Sequence, residues 1–403
     1  MDWQTADVHP SHFVSDAQAR AARGKAPATG AWREGDPVGA RHFAAIGALK
    51  LESGFTLPQV RIAYERYGQL NAARDNAVLI FHALTGDSHV ARTPGVERQS
   101  DGWWEDVVGP GKAIDTDRWF VVCPNVLGGC QGSTGPASLS PRGVEWSSDF
   151  PYLTIRDQTA AFEALGREIG IERWAALIGG SMGGMHALEW AIRSPDTVAR
   201  LAVLAAPPAT SADQIALNSV QLEAIRSDAR WANGNYYDAP LGEGPSRGLA
   251  LARRMAMLNY RTAQELNERF ERGWQSEVTP LGGGGRFAVE SYLDFHGNKF
   301  TRRFDANSYL TLTEAMNSHD ITRGRGTVSE VLARVRCPSL TLGIDSDRYF
   351  TIDGQASIAA ALPGSIHGPE PIVVHSEYGH DAFLIEADAV GSALAELLDV
   401  AVD

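Results

Sequence analysis

Residues 179–184 read GGSMGG and set one serine, Ser181, in a G-x-S-x-G pattern. A serine so placed is a candidate nucleophile when a sharp strand-to-helix turn lifts its hydroxyl above a sheet edge; flanking glycines are what so tight a turn demands. The pattern is short and the chain holds 41 glycines, so the flanks must decide. They favour chemistry: β-type RWAALI runs in and amphipathic MHALEWAI runs out, the strand, turn and helix that the motif needs.

A serine hydroxyl is a poor nucleophile at neutral pH, so a histidine must take its proton and a carboxylate must fix that histidine's tautomer. On strand–turn–helix serines the chain order is Ser, acid, His. Of the eleven histidines, His296, His319, His367, His375 and His380 lie well past Ser181. His380, in EYGHDAFLIEA, falls between a predicted strand and the last predicted helix and is the expected base. His375 sits in the apolar run PIVVHSE and is expected to be structural, while His296 and His319 lie in a helical insertion.

The segment PSLTLGIDSDRYFT offers two acids. Asp345 continues the β run and would cap it; Asp347 lies beyond the strand end, where a loop can turn its carboxylate toward His380, and is preferred. Two N–H groups must meet the developing oxyanion, one from the residue after the nucleophile and one from an earlier strand-end loop; Met182 and Leu84, in FHALTGDSH, fit. The same stretch could be read as a metal site through His82, Asp87 and His89, but no further cluster completes a ligand set, so no metal is expected.

These residues need a sheet to present them. Short β-type runs at 60–68, 76–84, 118–127, 173–180 and 198–206 alternate with helical patterns, notably 155–169 and 182–194. That rhythm predicts an α/β core with a mostly parallel sheet covered on both faces. From 207 to 334 helical patterns dominate, predicting an inserted cap; β/α alternation resumes at 335–403, so 41–206 and 335–403 form the core. Residues 1–40 lack periodicity and are expected to be a loosely held extension.

The length of 403 residues accommodates a core plus insertion. A net charge of −13 disfavours nucleic acid or an anionic membrane as partner. Three cysteines without a C-x-x-C pair, a start lacking signal-peptide character and no long apolar run predict a cytoplasmic protein.

Two further stretches, NVLGGCQGSTGPASLSP (125–141) and GWWEDVVGPGKAIDTDRWFVV (102–122), are more particular. With HALTGDSHV, GGSMGGMHALEW, DSDRYF and GHDAFL they resemble the homoserine O-acetyltransferases of the α/β-hydrolase fold over residues 45–400. The resemblance implies Ser181 as acylated nucleophile, Asp347 as acid and His380 as base. It also implies that Arg253 and Tyr260, in LARRMAMLNYR, hold the substrate carboxylate and line the site, and that Asp381 faces the substrate amine. Arg254 remains an alternative to Arg253. The chain departs from the pattern at RYFT, where relatives often carry a proline after the aromatic residue.

The implied reaction is ping-pong transfer of acetyl from acetyl-CoA, a co-substrate and not a bound cofactor, to L-homoserine in methionine biosynthesis. The implied assembly is a homodimer through the cap helices. Succinyl-CoA as donor, serine as acceptor, and plain esterase or thioesterase activity are the alternatives.

Overall fold

The structure, a computed structural model, describes residues 24–93 and 100–402. One sheet contains β1 (His42–Lys50), β2 (Thr56–Tyr67), β3 (Ala77–Phe81), β4 (Phe120–Pro124), β5 (Ala176–Gly180), β6 (Leu201–Leu204), β7 (Ser339–Ile344) and β8 (Ile372–Val374). Their spatial order is β1-β2-β4-β3-β5-β6-β7-β8. The β1/β2 and β2/β4 pairs are antiparallel and the rest are parallel. Every residue of β3 to β7 is buried, which is why AVLIF, LAVL and SLTLGI are nearly unbroken apolar runs.

Helices α1 (Ile155–Glu168) and α2 (Met182–Arg193) follow β4 and β5. Thr154 and Asp157 close a capping box at the start of α1. Helix α2 is buried from Met182 to Ile192, consistent with a helix packed between the sheet and other elements.

Between β6 and β7 the chain forms α3 (Ala212–Arg226), α4 (Ser246–Tyr260), α5 (Ala263–Phe270), α6 (Ala288–Phe300), α7 (Ala306–Asn317) and α8 (Val328–Leu332). Leu204 of β6 pairs beside Leu342 of β7, so the excursion leaves and rejoins neighbouring strands and the sheet runs unbroken beneath it. Helix α4 packs on α3 and α6, and α3 also packs on α7. The chain closes with α9 (Ile352–Ala361), α10 (Ala382–Ile385) and α11 (Ala387–Asp399).

The expectation of a loosely held extension is corrected for residues 24–40; residues 1–23 lie outside the described residues. Gly30 N–H donates to Phe304 O at 3.1 Å and Trp32 N–H to Cys130 O at 2.9 Å. Thr29 Oγ1 donates to the fully buried Asp305 at 2.7 Å. This segment therefore ties α7's leading edge to the 125–141 loop, through partners too distant in sequence to leave a periodic signal.

Candidate active site

In the parallel part of the sheet the register aligns strand ends: Phe81 faces Gly179, Gly180 faces Leu204, and Ile344 faces Val374. The turns that follow β3, β5, β7 and β8 thus emerge on one rim, where open α/β sheets bind ligands.

Ser181 caps α2 with φ 58° and ψ −125°, a conformation rare for a residue with a side chain. Its N–H donates to Leu204 O at 2.9 Å and its carbonyl accepts Gly184 N–H at 2.9 Å. The four glycines are required by close approach. A Cβ at Gly179 would lie 2.1 Å from Gly183 O, at Gly180 2.4 Å from the Phe383 ring, at Gly183 2.1 Å from Phe81 O, and at Gly184 2.6 Å from Ala206 Cβ.

His380 Nε2 stands 2.9 Å from Ser181 Oγ, and its Nδ1 stands 2.6 Å from Asp347 Oδ2. A carboxylate only accepts, so Nδ1 carries the proton and Nε2 is left to receive the serine hydroxyl's. Asp347 Oδ1 in turn accepts Tyr349 N–H at 2.8 Å and Phe350 N–H at 2.9 Å. These donors sit in the RYFT stretch, so its departure leaves the hold on Asp347 intact. All three side chains are buried.

The rings of Tyr260, Tyr349, Phe350 and Phe383 stand 5.1–5.7 Å from the His380 ring. Burial among them pushes the imidazole's pKa down, but the Asp347 carboxylate, by charge and hydrogen bond, and the charge of Asp381 together more than offset this, leaving the net value above the usual 6.5.

Leu84 and Met182 are buried where β3 and β5 end. Leu84 is a central residue of the turn that Gly86 N–H closes onto Ala83 O at 2.9 Å. His82 braces that turn: its Nε2 accepts Val126 N–H at 3.0 Å, so Nδ1 is the donor to Ala83 O at 2.7 Å. Both His82 nitrogens are thereby used. Both His89 nitrogens are too, on Glu65 at 3.0 Å and Ser100 O at 2.8 Å. No group of three or more metal-ligating side chains occurs among the described residues.

Tyr260 is buried beside His380, and burial pushes its hydroxyl up to about 12. Arg253, two helical turns earlier on α4, reaches Thr85 Oγ1 at 3.5 Å and lies over the Phe300 ring. Arg254 instead pairs with Asp294 at 2.9 Å, so of the two arginines Arg253 is the one beside the Leu84–Thr85 turn. Asp381 follows His380 directly and lies 3.4 Å from Arg261 Nε. Gly379 makes this closeness of α4 and His380 possible, because its φ is 64° and a Cβ there would lie 2.5 Å from Tyr260 O.

His375 is corrected: it lies just past β8, 82 % exposed, and pairs with Asp345 at 2.7 Å on the surface. His319 is buried with Nε2 2.9 Å from Pro207 O, and burial pushes it down to about 4. Arg303, whose role sequence reasoning missed, donates from Nη1 to Thr85 O at 2.9 Å.

Fold and site together define the class: the chain is a member of the α/β-hydrolase fold, and residues 76–387 match the family described as alpha/beta hydrolase fold. Within it, the chain belongs to the homoserine O-acetyltransferase family. It is 61 % identical over 399 residues to the homoserine O-acetyltransferase of Leifsonia xyli subsp. xyli, covering 98 % of this chain and 99 % of that one. The crystal structure of homoserine O-acetyltransferase from Bacillus anthracis superposes with a TM-score of 0.81 at 28 % identity, covering 90 % of this chain and 98 % of that one. Esterase E22 superposes with a TM-score of 0.78 at 26 % identity, covering 89 % and 99 %.

Proposed function

We propose that this protein transfers the acetyl group of acetyl-CoA to the hydroxyl of L-homoserine, with Ser181, His380 and Asp347 as the catalytic residues. The observation that carries the reading is the hydrogen-bonded line from Asp347 through His380 to Ser181 in a chain 61 % identical to a homoserine O-acetyltransferase.

His380 Nε2 takes the Ser181 proton as Oγ attacks the thioester carbonyl, and the oxyanion forms toward the Leu84 and Met182 N–H groups. The C–S bond breaks, the imidazolium protonates the departing CoA thiolate, and an acetyl ester remains on Ser181. The homoserine hydroxyl then gives its proton to His380 and attacks the ester; collapse of the second oxyanion releases O-acetylhomoserine and returns the proton to Ser181.

Arg253 and Tyr260 receive the acceptor's carboxylate and Asp381 its ammonium, a bidentate cation and an anion suited to those groups. The buried site favours a positioned alcohol over water. Residues 207–334 act as the cap, and exposed Val220, Leu251 and Leu258 on its helices suit a homodimer contact. Three unpaired cysteines agree with a cytoplasmic setting.

The test is thiol release from acetyl-CoA by the pure protein with and without L-homoserine, with succinyl-CoA and L-serine run in parallel and Ser181→Ala as control. Release that requires homoserine and is lost in the variant supports the transferase. Equal release without an acceptor makes the protein a hydrolase, as in the esterase of like fold.

A further inference from the structure

We propose that Arg303 is a positioning residue that holds the oxyanion turn, and that Gln131, in the 125–141 loop, holds Arg303; the proposal rests on the acyl-transfer reading above. The turn Ala83–Gly86 carries Leu84 and Thr85 at its centre and is closed by the Gly86-to-Ala83 hydrogen bond. One side of it is fixed from the core, where Ala83 O also accepts His82 Nδ1–H. Among the described residues the other side is fixed from the helical excursion: Arg303 Nη1 donates to Thr85 O at 2.9 Å, and Arg253 Nη1 reaches Thr85 Oγ1 at 3.5 Å. Thr85 O shares its peptide with Gly86 N–H, which donates to Ala83 O, and Ala83 O shares its peptide with Leu84 N–H. Without the Arg303 anchor the Thr85–Gly86 peptide can turn, the bond that orients the Leu84 donor slackens, and a donor that must meet a developing charge loses its aim.

Arg303 is itself anchored. Gln131 Nε2 donates to Arg303 O at 2.7 Å and to Gly30 O at 3.2 Å, while Arg41 donates to Gln131 Oε1 at 2.8 Å. Gln131 N–H is held by Asn125 Oδ1 at 3.1 Å. Gly30 lies against the same backbone, a Cβ there falling 2.5 Å from Arg303 N. The Phe300 ring lies 5.3 Å from the guanidiniums of both Arg303 and Arg253, a cation–π contact for each. The GGCQGSTGP loop makes no hydrogen bond to Ser181, His380 or Asp347 among the described residues; the 125–141 segment meets the oxyanion turn on two sides, at Ala83 through Val126 and His82 and at Thr85 through Gln131 and Arg303.

The experiment compares wild type, Arg303→Gln, Arg303→Lys, Gln131→Ala and the Gln131→Ala/Arg303→Gln double variant. The probes are acetyl-CoA, the phosphate-free thioester acetyl-N-acetylcysteamine, and the nitrophenolate burst from p-nitrophenyl acetate, which reads acylation of Ser181 without homoserine. Arg303→Gln should slow acylation by about tenfold or more with all three donors, in line with a misaligned oxyanion donor. The KM for homoserine and the unfolding midpoint should hold, Arg303→Lys should recover most of the rate, and the double variant should be no slower than Arg303→Gln.

A loss confined to acetyl-CoA would overturn the proposal in favour of a phosphate contact. Rates unchanged with every donor, or a loss that follows a fallen unfolding midpoint and is not rescued by lysine, would overturn it as well. If wild type acylates Ser181 but homoserine does not accelerate turnover, the transferase reading fails while the burst still reads Arg303.

Discussion

Asp345 and Asp347, two residues apart at one strand end, hold different histidines in opposite surroundings. Asp345 lies 2.7 Å from His375, which is 82 % exposed, and Asp347 lies 2.6 Å from His380, which is 3 % exposed. Water screens the first pair and leaves it little energy; the second is desolvated and faces Ser181. Asp347→Asn should therefore lower kcat by about 10³–10⁴-fold, because an amide can hold the imidazole in the wrong tautomer. Asp345→Asn should leave kcat within about twofold, as expected for an exposed pair. Steady-state rates of the two variants check this, and equal losses would refute the assignment of the acid.

The same pair sets the acid limb of the pH profile. His380 acts as a base only when neutral, and burial, which favours the neutral ring, is more than offset by Asp347 together with Asp381. The limb of kcat/KM should therefore have its midpoint above 6.5, activity falling as pH drops through it. In Asp347→Asn the larger raising charge is gone while burial and the Asp381 charge remain, so the midpoint of the residual activity should move down from the wild-type value. A midpoint that moves upward in the variant would contradict the electrostatic account.

Glu65 and His89 supply a pH test of stability. Glu65 is buried and accepts from His89 at 3.0 Å, Tyr67 at 3.0 Å and Ser88 at 3.3 Å. The hydrogen bond to Glu65 raises His89 to about 9, against partial desolvation. Its folded pKa exceeds the unfolded 6.5, so the stabilisation is full below 6.5 and is lost as pH rises through 9. His89→Gln should cost about 1–3 kcal/mol at pH 6, the range for a charged hydrogen bond. The deficit should shrink by pH 9.5 in urea unfolding; a constant deficit would mean His89 is neutral throughout.

Much of this was legible in the sequence because it is local. The apolar runs of β3, β5, β6 and β7 and the glycines around Ser181 are written in consecutive residues, and the order Ser181, Asp347, His380 follows from where each run ends. Strand β1 was missed: HFAAIGALK has few β-branched residues, and its register shifts around Gly47 break the alternation. His375 was misplaced because the apolar run ends one residue before it. Arg303 and the 24–40 segment were missed because their partners, Thr85 and Asp305, lie more than 200 residues away and no spacing rule links them.

The glycine argument at the nucleophile turn can be tested against a glycine that lacks the constraint. Gly183, the second residue of α2, has its Cα turned to Phe81 O of β3, so the methyl of Gly183→Ala would sit 2.1 Å from a backbone oxygen that is itself fixed in the sheet. Helix and strand must separate, which costs about 3 kcal/mol or more and shifts Ser181 from His380. Gly354, in α9, has ordinary clearance, 3.4 Å to Pro207. Gly354→Ala should gain about 0.5 kcal/mol by restricting the unfolded chain and leave kcat unchanged. Denaturant unfolding and rates on both variants decide: if Gly183→Ala keeps wild-type stability and rate, the turn has room to spare and its glycines need another explanation.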